Sequence, residues 1–273
     1  FSFRPPLFIA ATLTMDGLTD LYLPLALAAM LAGLVDAVVG GGGLIQVPAL
    51  FAAMPQATPA TLFGTNKLSA ICGTAMAARS YWQRFAIDWQ LVLPAGAAAL
   101  IFAFTGAWAV TVFPAELLRK ALPFILLLVA VYVFRRKEFG QAYAPRLAGV
   151  RKLAIAAVVG GCIGFYDGFF GPGTGSFLVF LFVRTFGLDF LRASAAAKIV
   201  NVVCNFAALA WFVPVGQPMW SLAAVMVVCN MLGSLVGVRL AMRHGTGFVR
   251  ILFLIVVAVL ILKTAIDAFA GSQ

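Results

Sequence analysis

The sequence predicts an all-α membrane protein of two inverted-topology repeats, each a broken, re-entrant-like helical hairpin followed by three transmembrane helices. Three observations carry this. First, 63% of the 273 residues are hydrophobic and only 10% are charged. A soluble domain carries about 25% charged residues, so a water-soluble core of this length cannot hide the apolar surface. Second, one stretch occurs twice, GLVDAVVGGGG at 33–43 and GFYDGFFGPGT at 164–174. Third, the basic loops fall on one side of a membrane only if the two halves are inserted upside down relative to each other.

The duplication runs through the chain. A shift of 131 residues, the separation of Asp36 and Asp167, also places Gly33 on Gly164, Gly40 on Gly171, Gly42 on Gly173 and Lys67 on Lys198. Trp89 meets Trp220, Gly106 meets Gly237 and Arg119 meets Arg250. Most other positions differ, which marks an old duplication.

Residues 1–20 form an N-terminal segment with Arg4 and the run LFIAATL, too short to span a bilayer; Met15 is a candidate natural start. The first repeat covers 21–134. Its apolar run 21–39 ends at Gly40–Gly43, and the run 44–54 has about half the length a spanning helix needs. PQATP at 55–59 is a turn, followed by long apolar segments at 60–81, 89–112 and 117–134. Residues 135–152 are the one long polar linker. The second repeat, 153–268, repeats the order: 153–169, a glycine break, a short arm at 175–186, then 190–212, 219–242 and 247–268, with a tail at 269–273. Long Ala- and Leu-rich runs without period-2 alternation exclude strands. Helices satisfy their own backbone in lipid, so the two breaks must lie within protein or line a wet cavity.

The linker carries Arg135, Arg136, Lys137, Arg146, Arg151 and Lys152, which places it in the cytoplasm by the positive-inside rule. The loops with Arg79 and Arg84, with Arg184 and Arg192, and with Arg239, Arg243 and His244 are then also internal. Residues 55–59, 112–116 and the uncharged FVPVGQP at 212–218 are external. These sides agree only if each broken segment enters and leaves on the same face. Three crossings per repeat then invert the second half, the plan of many secondary transporters that bind substrate at the bilayer midplane. The net charge of +10 is spread over linkers and helix ends, so it reads as membrane orientation and not as a nucleic-acid footprint. Trp89, Trp220, Arg119 and Arg250 start spans and read as interfacial anchors.

Lys67 and Lys198 sit near the middle of their apolar segments. A lysine at the centre of a spanning helix costs about 2.5–3.5 kcal/mol, so each needs a partner or a wet cavity. Lys198, Asn201 and Asn205 fall on one helix face, while Asn66 adjoins Lys67, with Ser69 and Thr74 further along. A cationic pocket lined with amides suits an oxyanion, the lysine supplying charge and the asparagines directed donors. The alternative is structural: Lys67 pairs with Asp36 and Lys198 with Asp167, closing each hairpin. The two combine if a lysine exchanges its aspartate for a ligand, a route for proton coupling.

The glycines also have two readings. Gly40, Gly41, Gly42 and Gly43, with Gly171 and Gly173, permit tight turns and close packing. Alternatively, they bare amide N–H groups at the start of each short arm, where the positive end of the helix dipole binds anions. Gln46 and Ser176 lie early on the arms and add donors. The run is not a Walker loop, which requires G-K-[ST].

Cys72, Cys162, Cys204 and Cys229 all lie in apolar runs without a C-x-x-C pair and read as small buried hydrophobes. A lone histidine, His244, and no His/Cys/carboxylate cluster argue against a metal site or any other cofactor. An intramembrane enzyme finds no Ser/His pair, and an aspartate dyad requires Asp36 to meet Asp167. A passive anion channel uses the same pocket but needs a continuous wet path.

GLVDAVVGGGGLIQVPAL, FGTNKLSA, GFYDGFFGPGTGSF and AAAKIVNVVCN resemble the TauE/SafE family of sulfite exporters and 4-toluene sulfonate uptake permeases, in particular its YfcA-like branch. The likeness runs from about residue 21 onward. It implies a bacterial inner-membrane carrier of sulfite, sulfonates or other small organic anions. The family's glycine-run and N-K positions fall here on Gly40–Gly43 and Asn66–Lys67, and their second-half partners on Gly171, Gly173, Lys198 and Asn201. Pro172 and Thr174 interrupt the second run, so the halves are expected to bind unequally.

Overall fold

The computed structural model describes residues 15–114, 116, 117 and 147–243, with side chains from residue 21 onward. Among them are eight helices in two sets of the same order and no strand. The first set is α1 (Met15–Val39), α2 (Gly43–Ala53), α3 (Pro59–Trp82) and α4 (Trp89–Val112). The second is α5 (Gly149–Phe169), α6 (Thr174–Phe186), α7 (Phe190–Gly216) and α8 (Trp220–Arg243). Helices α1 from Leu21, α4, α5, α7 and α8 are long and apolar enough to cross a membrane; α2 and α6, with 11 and 13 residues, are not. At 24 residues, α3 is as long as α4, but Asn66, Lys67, Ser69 and Thr74 dilute its apolar character. The predicted spans 117–134 and 247–268, Arg119, Arg250 and His244 lie outside the described residues.

Local chemistry sets the ends. Thr58 caps α3 by accepting from the Thr61 N–H at 3.2 Å, with Pro59 in the first turn. Asp189 caps α7 through the Arg192 N–H at 3.0 Å. Helix α5 starts at Gly149, so the last four residues of the predicted 135–152 linker are helical. The two short arms have no side-chain cap; each follows a glycine, Gly42 or Gly173.

The halves interlock. Helix α4 packs along α5, and α3 packs on its counterpart α7. A Cβ on Gly160, Gly164 or Gly168 would lie 2.0, 2.7 and 1.9 Å from backbone atoms of Ala95, Ala99 and Ala103, so these parallel helices touch main chain to main chain. The counterpart contact joins α1 to α8: a Cβ on Gly33 would lie 2.0 Å from the Asn230 carbonyl oxygen. Gly33 and Asn230 are the 131-residue equivalents of Gly164 and Ala99.

Charge sorts to one end. Lys152 pairs with Asp88 at 2.5 Å, and Arg84, Arg239 and Arg243 line a common pocket. At the other end, the Thr61 hydroxyl donates to the Gly216 carbonyl and the Met219 N–H donates to Thr65 Oγ1 at 3.0 Å, joining the uncharged loops. Trp89 and Trp220 begin α4 and α8 and are exposed, as expected of belt residues. Of the cysteines only Cys204 is buried; Cys72 and Cys229 are half-buried, and the expectation of four buried side chains fails outright at Cys162, which lies exposed on the outer face of α5.

Candidate functional site

The two chain breaks meet at the centre. Gly40 (φ 83°) and Gly171 (φ 90°) adopt left-handed backbone that a side chain would strain. A Cβ on Gly40 would sit 2.4 Å from the Gly175 carbonyl carbon, so the break after α1 lies directly on the start of α6. The Ser176 N–H donates to the Gly40 carbonyl at 3.2 Å and its hydroxyl to the Val39 carbonyl at 2.8 Å, pinning the two together. Among the described residues, the N–H groups of Gly41, Gly42 and Gly173 have no acceptor. Both short arms therefore begin with open donors at the positive end of their dipoles.

Beside the breaks is a polar cavity of about 30 Å³, room for roughly two waters. Asp36, Gly40, Gly42, Gly43, Gln46, Asn66, Lys67, Asp167, Gly171, Asn201 and Asn205 line it, eleven residues singled out in the sequence. Gly41, Gly173, Ser176 and Lys198 do not. Sequence reasoning missed Ala70, Thr174, Gly175 and Asn230 on the wall and gave Thr74 no role there. Asn230 was detectable as a lone amide within the apolar run 219–242; Ala70 and Gly175 carry no chemical signal.

The lysines pair across the halves. Lys67 Nζ donates to Asp167 Oδ2, and Lys198 Nζ donates to Asp36 Oδ2 at 2.9 Å and to the Asp36 carbonyl. The alternative of Lys67 with Asp36 and Lys198 with Asp167 is thus corrected. The reason is the interlocking, which lays each break against the lysine-bearing helix of the opposite half; a Cβ on Gly171 would lie 3.3 Å from Lys67 Nζ. Each aspartate serves a lysine, so an aspartate dyad is not formed.

Lys67, Lys198 and Asp167 are withdrawn from solvent, at 2%, 1% and 2% exposure, whereas the Asp36 side chain is 14% exposed. Two ammonium groups and two carboxylates leave the cluster neutral. Their settings differ. Asp36 Oδ2 also accepts from the Thr74 hydroxyl at 3.0 Å, so Lys198 is fixed behind a carboxylate held from two sides. Lys67 has one carboxylate partner and faces the cavity.

Amides complete the wall. Asn205 Nδ2 donates to Asn201 Oδ1 at 3.3 Å, leaving Asn201 Nδ2 without an acceptor among the described residues. Gln46 Oε1 accepts from Asn230 Nδ2 at 3.0 Å. Asn66, 5% exposed, has an unpartnered Oδ1, and a half-turn of its amide presents the NH₂ instead. The Lys67 ammonium, the Asn66 and Asn201 amides and Gly42, whose N–H is bare, thus line one space. Among the described residues no three His, Cys, Asp or Glu side chains gather to hold a metal.

Aromatic side chains pack on either side of the site. Toward the uncharged end, Phe63 packs on Phe51, Phe170 and Phe212 with ring centroids 5.3–6.2 Å apart. Toward the basic end, Tyr81 packs with Ala37, Ala77, Ala195 and Val238 and donates its hydroxyl to the Ala37 carbonyl at 3.1 Å. Tyr81 and Phe212 are again counterparts, 131 residues apart.

The family described as "Sulfite exporter TauE/SafE" matches residues 25–264. The chain is 36% identical to the "Probable membrane transporter protein YfcA" of Escherichia coli (strain K12) over 88% of both chains. It is 34% identical to "Probable membrane transporter protein ORF9" of a Sinorhizobium species, over 89% of this chain and 92% of the relative. It is 32% identical to a "Probable membrane transporter protein" of Haemophilus influenzae, over 93% and 98%. No solved structure matches.

Proposed function

The chain belongs to the sulfite exporter TauE/SafE family of membrane transporters, and from that premise we propose that it carries a small sulfur-containing anion, sulfite or an organosulfonate, across the bacterial inner membrane by alternating access around the central cavity. One observation carries the reading: Lys67 faces the cavity among free amide donors, with its charge balanced only by Asp167. An incoming anion replaces that carboxylate on the ammonium. Asn66, Asn201, Asn205 and the bare Gly42 N–H at the first glycine break take up its remaining oxygens.

Exchange of the Asp167 carboxylate for the anion opens a route for proton coupling. Anion and proton then move together. Lys198 and Asp36 form the counterpart bridge that holds the first break in place. A passive channel needs a continuous open path, and a cavity of only about 30 Å³ flanked by the buried Tyr81 and the packed phenylalanine cluster favours a carrier that exposes one side at a time. Small carboxylates share the recognition chemistry and belong in the substrate screen.

Flux of labelled sulfite and of alkyl and aryl sulfonates into proteoliposomes tests the reading. Counterflow of labelled substrate is expected, and its absence alongside simple leak points to a channel. An inward proton gradient should drive accumulation, and Asp167→Asn should uncouple it. Wild-type flux in Lys67→Gln rejects the site.

A further inference from the structure

Three arginines share a space at the basic end of the molecule. Arg84 at the end of α3 and Arg239 and Arg243 on α8 line a pocket of about 360 Å³, with Ser80 and Gln83 as further donors. No acidic residue lines it, and among the described residues no carboxylate pairs with these three guanidinium groups. Like charges around one space repel unless an anion sits between them, and planar guanidinium groups fit phosphate oxygens in pairs.

A second groove, of about 560 Å³, runs between α3 and α7 around the same helix end. Its walls are almost wholly apolar, with Ala75, Trp82, Ile199 and Val203 along it and Arg79 at the rim. Gln83 lines both spaces, so groove and pocket adjoin. Trp82 packs edge-on against Trp89 at 5.5 Å, and both are exposed, which sets this level at the membrane–water interface. The arginines therefore stand at headgroup depth and the groove at acyl-chain depth.

We propose that this end of the protein holds an anionic phospholipid, its phosphate among Arg84, Arg239 and Arg243 and one acyl chain in the groove between α3 and α7. A soluble anion would use the basic pocket alone, and a lipid with a neutral headgroup would use the groove alone. Only an anionic phospholipid satisfies both. The site is separate from the central cavity, with Tyr81 and Val238 packed between them.

Native mass spectrometry of the delipidated full-length protein, titrated with phosphatidylglycerol, phosphatidylcholine or inorganic phosphate, tests this. Phosphatidylglycerol should bind at least tenfold tighter than phosphatidylcholine. Each of Arg84→Gln, Arg239→Gln and Arg243→Gln should weaken it by about fivefold. Ala75→Trp, which fills the groove, should weaken the lipid and leave phosphate unchanged. Arg243→Gln, at the end of a helix, keeps the test open if Arg84→Gln or Arg239→Gln fails to fold. Equal binding of the two lipids, or binding insensitive to the arginines, overturns the proposal. Phosphate that binds as tightly as the lipid would instead make this a soluble-anion site.

Discussion

The two central ion pairs are equivalents under the duplication, yet they are held differently. Lys198 donates twice to Asp36, whose carboxylate is also held by Thr74, and it stands behind the cavity wall. Lys67 has a single carboxylate partner and lines the cavity. The difference arises from neighbours. Position 74 carries a threonine on one side and its counterpart, Asn205, pairs with Asn201 on the other. On the proposed mechanism a duplicated charge pair splits its tasks, one half keeping the architecture and the other exchanging its partner.

The largest test of this contrast is removal of each ammonium. Lys67→Gln should lower anion flux more than a hundredfold in proteoliposomes. Lys198→Gln should cost about 3–5 kcal/mol of stability, by stranding Asp36, while anion affinity falls less than tenfold. Equal losses of affinity in the two variants would erase the distinction.

Charge reversal comes next. Lys67→Asp together with Asp167→Lys should recover most of the roughly 3 kcal/mol that either single change removes. Lys67→Asp with Asp36→Lys should not. Thermal unfolding in detergent reads this, and rescue by the second combination would place the pairs within each half.

Asn230→Ala should cost about 1–3 kcal/mol, because Gln46 Oε1 loses the shorter of its two donors in a buried wall, and should weaken sulfonate binding in a thermal-shift titration. The smallest effect belongs to Thr74→Val. Loss of one hydrogen bond to Asp36 should remove about 1 kcal/mol and leave flux within a factor of a few. A Thr74 variant as impaired as Lys67→Gln would mean that the supposedly fixed pair also moves.

Most of the architecture was legible because apolar length and glycine position are one-dimensional signals. The span 89–112 matches α4, and the breaks fall at Gly40–Gly43 and Gly171–Gly173. Lys67 and Lys198 stood out for the same reason, as charges where lipid forbids them. Their partners were not legible, because along the chain each aspartate lies closer to the lysine of its own half, and only the packing of α4 on α5 and of α1 on α8 brings it to the lysine of the other. The arginine pocket was hidden in the same way. Its members come from loops that the sequence places on one side of the membrane but not beside one another.

The crossed pairing has a consequence for biogenesis. Lys67 emerges from the ribosome 100 residues before Asp167, and Asp36 emerges 162 residues before Lys198. While the second half is still being translated, the first carries an ammonium and a carboxylate whose lasting mates do not yet exist. The nascent first half can settle in lipid only provisionally, and its final insertion awaits completion of the chain.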